Sequence, residues 1–300
     1  MKIFVTGATG FIGSAIVQEL LRAGHRVLGL ARSDAAAAAV AAAGAEAHRG
    51  DLEDAASLRA GAAASDAVVH TGFIHDFTRY KEVCDTDRRV IEALGAALVG
   101  TQRPLLVASG VVLPGRKTGV TEDDRATASP DALPRVATEL ACDELAARGV
   151  HVGVLRFPPT VHGEGDHGFV PMLIDLARKQ GASAYIGEGQ NLWPAVHRFD
   201  AATLARLALA RPFAPGTRFH VVAEEGVPFK AIAEVIGRRL QVPVISKTPA
   251  EAAAHFGWFA HFAALDCRAS SKRTREALGW TPVQPDLLAD LDRPPYFVQG

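Results

Sequence analysis

The residues Thr6-Gly7-Ala8-Thr9-Gly10-Phe11-Ile12-Gly13 decide the fold. They join a short apolar run, Ile3–Val5, to a segment in which Ile12, Ile16 and Leu20 recur at helical spacing, so the glycines fall in a strand-to-helix turn. Each glycine meets a separate steric demand. Gly7 permits the tight exit from the strand, Gly10 lets the backbone approach a pyrophosphate, and Gly13 lets the helix lie close to the sheet. A helix starting there offers unpaired N–H groups and a positive dipole end to phosphate oxygens. The turn therefore reads as a dinucleotide cradle, with Thr9, Phe11 and Ile12 in the same loop.

Outward from this turn, apolar runs of strand length alternate with helical patterns. Val27–Leu30, Ala67–His70, Leu105–Ala108 and Val152–Leu155 are nearly unbroken, as expected of parallel strands buried on both faces. Gly24 sits where a helix C-terminal cap falls, Ser33-Asp34 can cap the alanine-rich helix that stops at Gly44, and Val136–Arg148 reads as another helix. The alternation predicts an α/β fold with a doubly wound parallel sheet. After about residue 157 the rhythm changes: Phe157-Pro158-Pro159 breaks the pattern, Arg218–Ala223 reads as a returning strand and Phe229–Leu240 as a helix. We expect a nucleotide-binding domain over 1–160 plus about 195–223, and a smaller C-terminal substrate lobe over about 161–194 and 224–300.

The end of the second strand chooses the dinucleotide. A site for NAD usually places an acid there to accept from the ribose 2′-hydroxyl. Gly29-Leu30-Ala31-Arg32-Ser33 has no acid before Asp34. Arg32 can fork onto a 2′-phosphate and Ser33 can donate to it, which favours NADP(H), with NAD(H) the alternative. Arg32 as a solvated surface charge is the plainer option. Asp51-Leu52, closing the third strand, can meet the adenine.

Composition narrows the partners. The chain has 300 residues, 32 basic against 33 acidic, and a net charge of −1, so no global field attracts nucleic acid or an anionic membrane. Cys84, Cys142 and Cys267 form neither a disulfide framework nor a zinc-ligand spacing. No charged leader precedes Lys2–Thr6 and no apolar run approaches membrane-spanning length, so a cytoplasmic location is expected.

These motifs, with Gly50-Asp51-Leu52, Val68-Val69-His70, Val107-Ala108-Ser109, Val154–Pro158, Val161–Asp166 and Leu278–Pro282, resemble the extended, epimerase/dehydratase-like branch of the short-chain dehydrogenase/reductase superfamily. The resemblance covers most of the chain. It implies a Rossmann domain, a bound nicotinamide dinucleotide that also meets His70, Thr71, Gly72 and Pro158, a small-molecule substrate, and often a helix-bundle homodimer. The chain departs from that family in its chemistry. The usual Tyr-x-x-x-Lys pair is absent: Cys84 follows Tyr80 by four residues, Gly189 follows Tyr185 and Gly300 follows Tyr296. Counting back from Leu155-Arg156 puts Asp131 and Arg135 in those two places. Arginine can hold a ribose hydroxyl but is a poor proton carrier, and an ordinary Asp131 is ionised and can act only as a base. Pro134 favours a helix beginning near it, which would leave Asp131 outside.

Ser109 matches the family's carbonyl-polarising serine, with Gly110 an equal alignment and a turn-capping serine the plainer reading. Among eleven histidines, His75 and His162 are the candidate proton carriers, with His197 behind them; any of them can instead be a hydrogen-bonded structural residue. No metal-ligand spacing lies on an expected helix, so no metal site is expected. Trp193, Phe73, Phe77, Phe169, Tyr185 and Trp258 can line an apolar pocket, though Trp258 reads better as core. The reading is an NADP-dependent oxidoreductase acting on a carbonyl or alcohol. The alternatives are a dinucleotide-binding sensor without catalysis and a sugar-nucleotide epimerase or dehydratase.

Overall fold

The computed structural model describes residues 1–111 and 119–298, apart from the side chain of Phe77. In chain order the first half runs β1 (Lys2–Thr6), α1 (Phe11–Arg22), β2 (Arg26–Ala31), α2 (Asp34–Ala42), β3 (Glu46–Arg49), α3 (Ala55–Ala63), β4 (Ala67–His70), α4 (Tyr80–Ala96), β5 (Leu105–Gly110), α5 (Val136–Ala147) and β6 (Val152–Phe157). The second half runs β7 (Thr160–His162), α6 (Phe169–Gln180), β8 (Ser183–Ile186), β9 (Leu192–His197), α7 (Arg198–Ala210), β10 (Thr217–His220), β11 (Glu224–Pro228), α8 (Phe229–Leu240) and β12 (Val244–Lys247). It closes with α9 (Pro249–Phe256), α10 (Ala260–Ala263), α11 (Lys272–Leu278) and α12 (Leu287–Leu291).

Seven strands form one parallel sheet in the order β10-β6-β5-β4-β1-β2-β3. Alternate residues along each strand serve opposite layers. Ile3, Val5, Val69, Leu106 and Leu155 pack with Ile16 and Leu20 of α1 and Leu204 of α7. Phe4, Val68, Val107 and Val154 pack with Leu58, Ile91, Leu94 and Leu145 of α3, α4 and α5. Burial on both faces is why these strands read as unbroken apolar runs. The strand order reverses between β1 and β4, and the crevice above such a reversal is where open α/β sheets receive ligands.

β7, β9 and β11 make a separate three-stranded sheet, and β8 pairs with β12. A third core, centred on Trp193, Phe229 and Phe259, binds these strands to α6, α8 and α9. Helix α8 spans the residues expected from the sequence, and Ser33 caps α2 by accepting from the Ala36 N–H. Trp258 departs from expectation: it is 60% exposed, on the short turn after α9, and does not belong to the core. All three cysteines are buried as free thiols. No helix among the described residues is long and apolar enough to cross a membrane.

Candidate active site

The glycine turn is sterically committed. Gly7 takes φ +69°, and a Cβ on it would lie 2.7 Å from the Gly72 nitrogen, so the loops after β1 and β4 abut at the strand reversal. A Cβ on Gly13 would sit 1.9 Å from the Gly7 carbonyl oxygen, whereas one on Gly10 would meet only that oxygen, at 3.2 Å. Gly10 is the N-cap of α1 and no side chain caps it. The N–H groups of Phe11, Ile12 and Gly13 therefore have no intrahelical acceptor and are available, with the helix dipole, to an anion. That cradle fits a dinucleotide's diphosphate.

At the carboxyl end of β2, Arg32 is exposed and makes no ion pair among the described residues. Asp34, the nearest acid, is 3.0 Å from Arg49, whose Cα is in register with Ala31. Arg49, which the sequence reading did not single out, is thus a second arginine at this edge of the sheet. The Ser33 hydroxyl is occupied as a cap acceptor, leaving its proton to donate. Asp51 accepts from the Glu53 N–H and is half-buried, and Leu52 packs beside Gly72.

Beneath the crevice lies a buried polar chain that the sequence reading missed. Thr6 Oγ1 is 2.6 Å from His70 Nδ1, and His70 Nε2 is 3.0 Å from Asp87 Oδ1. Asp87 Oδ2 accepts from the Arg135 guanidinium at 2.7 Å and from the Thr138 hydroxyl at 2.6 Å. Arg135 also donates to Thr138 Oγ1 and to the Ala108 carbonyl, and its guanidinium carbon lies 4.2 Å over the Phe73 ring. Burial opposes the Asp87 charge, but Arg135 and the hydrogen bonds of His70 and Thr138 outweigh it and hold the carboxyl down at about 2. Three of Arg135's five N–H donors have these partners. The arginine is fixed at the carboxyl edge of the sheet with donors to spare. His70 thus lies inside the protein, as a link to Asp87. Thr71 donates to the Thr6 carbonyl, and Gly72 N–H to the Thr6 hydroxyl.

The remaining candidates divide. Ser109 is buried, 3.4 Å from Glu139 Oε1. Glu139 is gripped by both forks of the fully buried Arg156, at 2.7 Å each. Burial opposes its charge, but Arg156 and Arg218 keep its pKa below the usual carboxylate value. Arg156 donates further to His220 Nε2 and the Asp124 carbonyl. Asp131 stands apart from this cluster: its side chain is 85% exposed and pairs with Lys81 at 2.9 Å. It precedes α5, whose first turn follows Pro134 and Arg135. Pro158 lies between β6 and β7, at the sheet's carboxyl edge.

Of the histidines, His75 is exposed beside Phe73, and desolvation, His167 and Arg135 lower its pKa. His167 makes an edge contact with Phe11, which brings the loop before α6 over the start of α1. Arg198 clamps that loop: it donates to the Glu164 carbonyl and the Ser14 hydroxyl and covers the Phe11 ring at 4.4 Å. His162 is wholly buried, with Nδ1 3.0 Å from Asp290, which also receives Arg293 and Tyr296. His197 caps α7 by accepting from the Phe199 N–H. Among the described residues no group of three or more His, Cys, Asp or Glu is placed to hold a metal ion. The side chain of Phe77 lies outside the described residues.

A parallel sheet reversing at β1/β4, with a glycine-lined helix start at the reversal, defines a Rossmann-type α/β protein. The family model described as "Epimerase: NAD dependent epimerase/dehydratase family" matches residues 3–222, and the chain belongs to that family. A Schizosaccharomyces pombe protein, "Uncharacterized protein C2A9.02", is 50% identical over 299 residues, covering 99% of this chain and all of that one. The 2-alkyl-3-oxoalkanoate reductase of Stenotrophomonas maltophilia is 29% identical over 82% of this chain and 78% of its own. Among solved structures, DesIV (dTDP-glucose 4,6-dehydratase) from Streptomyces venezuelae, with NAD bound, has a TM-score of 0.78 at 20% identity, covering 98% of this chain and 96% of its own. The last likeness is one of fold.

Proposed function

We propose that the protein is an NADP-dependent oxidoreductase that moves hydride to or from a carbonyl or alcohol carbon of a small organic molecule. The observation that carries this reading is the juxtaposition, at one strand reversal, of an uncapped glycine-turn helix with an arginine clamped by Asp87. The N–H groups of Phe11, Ile12 and Gly13 would hold the diphosphate, and Arg32 with Arg49 would favour a 2′-phosphate over a hydroxyl. The nicotinamide would supply the hydride chemistry; the protein supplies orientation and electrostatics. Arg135 would donate its spare N–H groups to a ribose hydroxyl or to the oxygen on which negative charge develops. Ser109 would turn its proton from the long Glu139 contact onto the substrate oxygen. His75, exposed at the mouth and lowered in pKa, would exchange the proton with solvent. The reductase named among the relatives supports carbonyl reduction rather than epimerisation.

A specific observation favours a second reading, a dinucleotide-binding sensor. Asp131, in the family tyrosine's place, is turned to solvent and salt-bridged to Lys81, so nothing there delivers a proton. The two readings separate when NADPH is mixed with a panel of aldehydes and ketones and absorbance at 340 nm is followed. The enzyme reading expects turnover that falls at least 100-fold in Arg135→Met, on the scale of losing one oxyanion donor. Tight NADPH binding with no consumption on any carbonyl would leave the sensor.

A further inference from the structure

We propose that Arg198 is a further coenzyme-binding residue, whose guanidinium pairs with the diphosphate at the start of α1 while holding the Gly163–Gly168 loop beside it. The inference rests on the coenzyme-binding reading above and adds a residue to that site.

Helices α1 and α7 share one core, through Ile16 and Leu20 on the first and Leu204 on the second. Two arginines of α7 reach across to α1. Arg206, further along the helix, meets a carboxylate, Glu19, at 2.7 Å. Arg198, the first residue of α7, meets only neutral acceptors: the Ser14 hydroxyl at 2.8 Å and the Glu164 carbonyl at 3.1 Å. It makes no ion pair among the described residues, and these two acceptors engage two of its five N–H donors. Its Nε is buried without a partner. A half-buried cation so placed is short of an anion. Burial pushes its pKa down, and the one charge that opposes this is Asp166, a carboxyl already committed to the Gly168 N–H.

The start of α1 supplies the missing charge once coenzyme is bound. The guanidinium carbon of Arg198 lies 4.4 Å over the ring of Phe11, whose own N–H is the first free donor of that helix. Gly10 keeps the approach open, since a Cβ there would meet only the Gly7 carbonyl oxygen. A diphosphate on the Phe11, Ile12 and Gly13 N–H groups is therefore within side-chain reach of Arg198. Guanidinium and helix dipole then act on the same negative charge. The arginine is held in place beforehand. Gly163 takes φ +136°, and a Cβ on it would lie 3.0 Å from Arg198 Cγ, so the glycine leaves room for the arginine stem. Tyr296 anchors that end of the loop, its hydroxyl accepting from the Gly163 N–H at 2.9 Å. A cation fixed before the ligand arrives loses little freedom on binding it.

NADH isolates the diphosphate, because it lacks the 2′-phosphate that Arg32 and Arg49 would hold. Its dissociation constant is measured by calorimetry at about 50 and about 500 mM KCl, a change that shortens the Debye length roughly threefold. Arg198→Met keeps a stem over Phe11 and removes the charge. It should weaken NADH at least about tenfold at the lower salt, as loss of a charge-assisted hydrogen bond does, and the deficit should shrink at the higher salt. NADPH should lose the same factor, in contrast to Arg32→Glu, which spares NADH. Arg198→Lys keeps the charge; it should lie within about threefold of the unmodified protein and retain its salt dependence. A purely structural clamp would give a deficit equal at both salt concentrations and a lysine variant as weak as the methionine one. Either result would overturn the inference, as would an unchanged NADH affinity in Arg198→Met. Should Arg198→Met fail to fold, the affinity and salt dependence of Arg198→Lys decide by the same criteria. If the unmodified protein binds neither NADH nor NADPH, the coenzyme reading falls and this inference with it. If it binds both and Arg198→Met binds them equally well, the coenzyme reading stands and the role of Arg198 falls.

Discussion

Removing the Asp87 carboxylate is the most informative perturbation of the interior. Asp87 accepts from Arg135 and Thr138 on one oxygen and faces His70 Nε2 with the other, and its side chain is 3% exposed. Deleting one partner of a fully buried ion pair costs about 3–5 kcal/mol; the Arg135 side chain is 23% exposed and keeps Thr138 and the Ala108 carbonyl, which puts the cost here at the lower end of that range. Asp87→Ala is expected to cost about 3 kcal/mol in urea denaturation, since Arg135 loses its countercharge and His70 Nε2 its acceptor. Asp87→Asn differs in kind. Its oxygen can keep Arg135 and Thr138 while its amide donates to His70 Nε2, the ring proton moving to Nδ1 to donate to Thr6 Oγ1. We expect that variant to cost about 1–2 kcal/mol, the difference between a charged and a neutral acceptor. The pH dependence follows from the same carboxylate. Its pKa in the folded state is depressed to about 2, so its stabilisation is complete above the unfolded value near 3.8 and is lost as pH falls from there toward about 2. Asp87→Ala should therefore flatten the acid limb of the stability curve in that window. An Asp87→Ala cost below 1 kcal/mol, or an Asp87→Asn cost equal to it, would refute the account of a load shared among His70, Arg135 and Thr138.

Three further expectations follow from the geometry. Gly13→Ala drives a Cβ into the Gly7 carbonyl and should cost about 3 kcal/mol or more in thermal unfolding, whereas Gly10→Ala, with one 3.2 Å contact, should fold nearly as well yet lose most of its nucleotide affinity by calorimetry. Arg32→Glu should weaken NADPH at least 30-fold and leave NADH within about threefold, by analogy with the loss of one charge-assisted fork; equal loss for both would make Arg32 a surface charge. Burial raises the Asp166 carboxyl to about 6. Its burial therefore costs nothing below the unfolded value near 3.8 and destabilises progressively as pH rises through about 6. Asp166→Asn should thus raise the melting temperature at pH 8 and change it little at pH 4.

Much of this architecture is legible in the sequence because its causes are local. The glycine turn is steric, the central strands are apolar on both faces, and α8 repeats its apolar residues on one side. β3 is harder to see, since Glu46-Ala47-His48-Arg49 is a half-exposed edge strand with no apolar run. The Asp87 chain escaped notice because its members lie 17 and 48 residues apart. A signal was present nonetheless: Asp87 falls in phase with Val83, Val90, Ile91 and Leu94 on the buried stripe of α4, where a carboxylate must be paired. Arg156, inside an otherwise apolar strand, announces Glu139 in the same way. The placement of Asp131 was foreshadowed by Pro134, which starts the helix after it. The exposure of Trp258 is not legible in the sequence, because a run of aromatic residues reads as core whichever of its rings faces outward.

The central claim is that the uncapped start of α1 holds a dinucleotide diphosphate and that the β2 edge prefers the phosphorylated coenzyme. Calorimetric titration of the unmodified protein with NADPH, NADP, NADH and NAD tests it most directly. One site per chain is expected, with NADPH bound at least about tenfold more tightly than NADH, as a charge-assisted fork to a 2′-phosphate allows. Absence of binding heat for all four, at several temperatures, would contradict it.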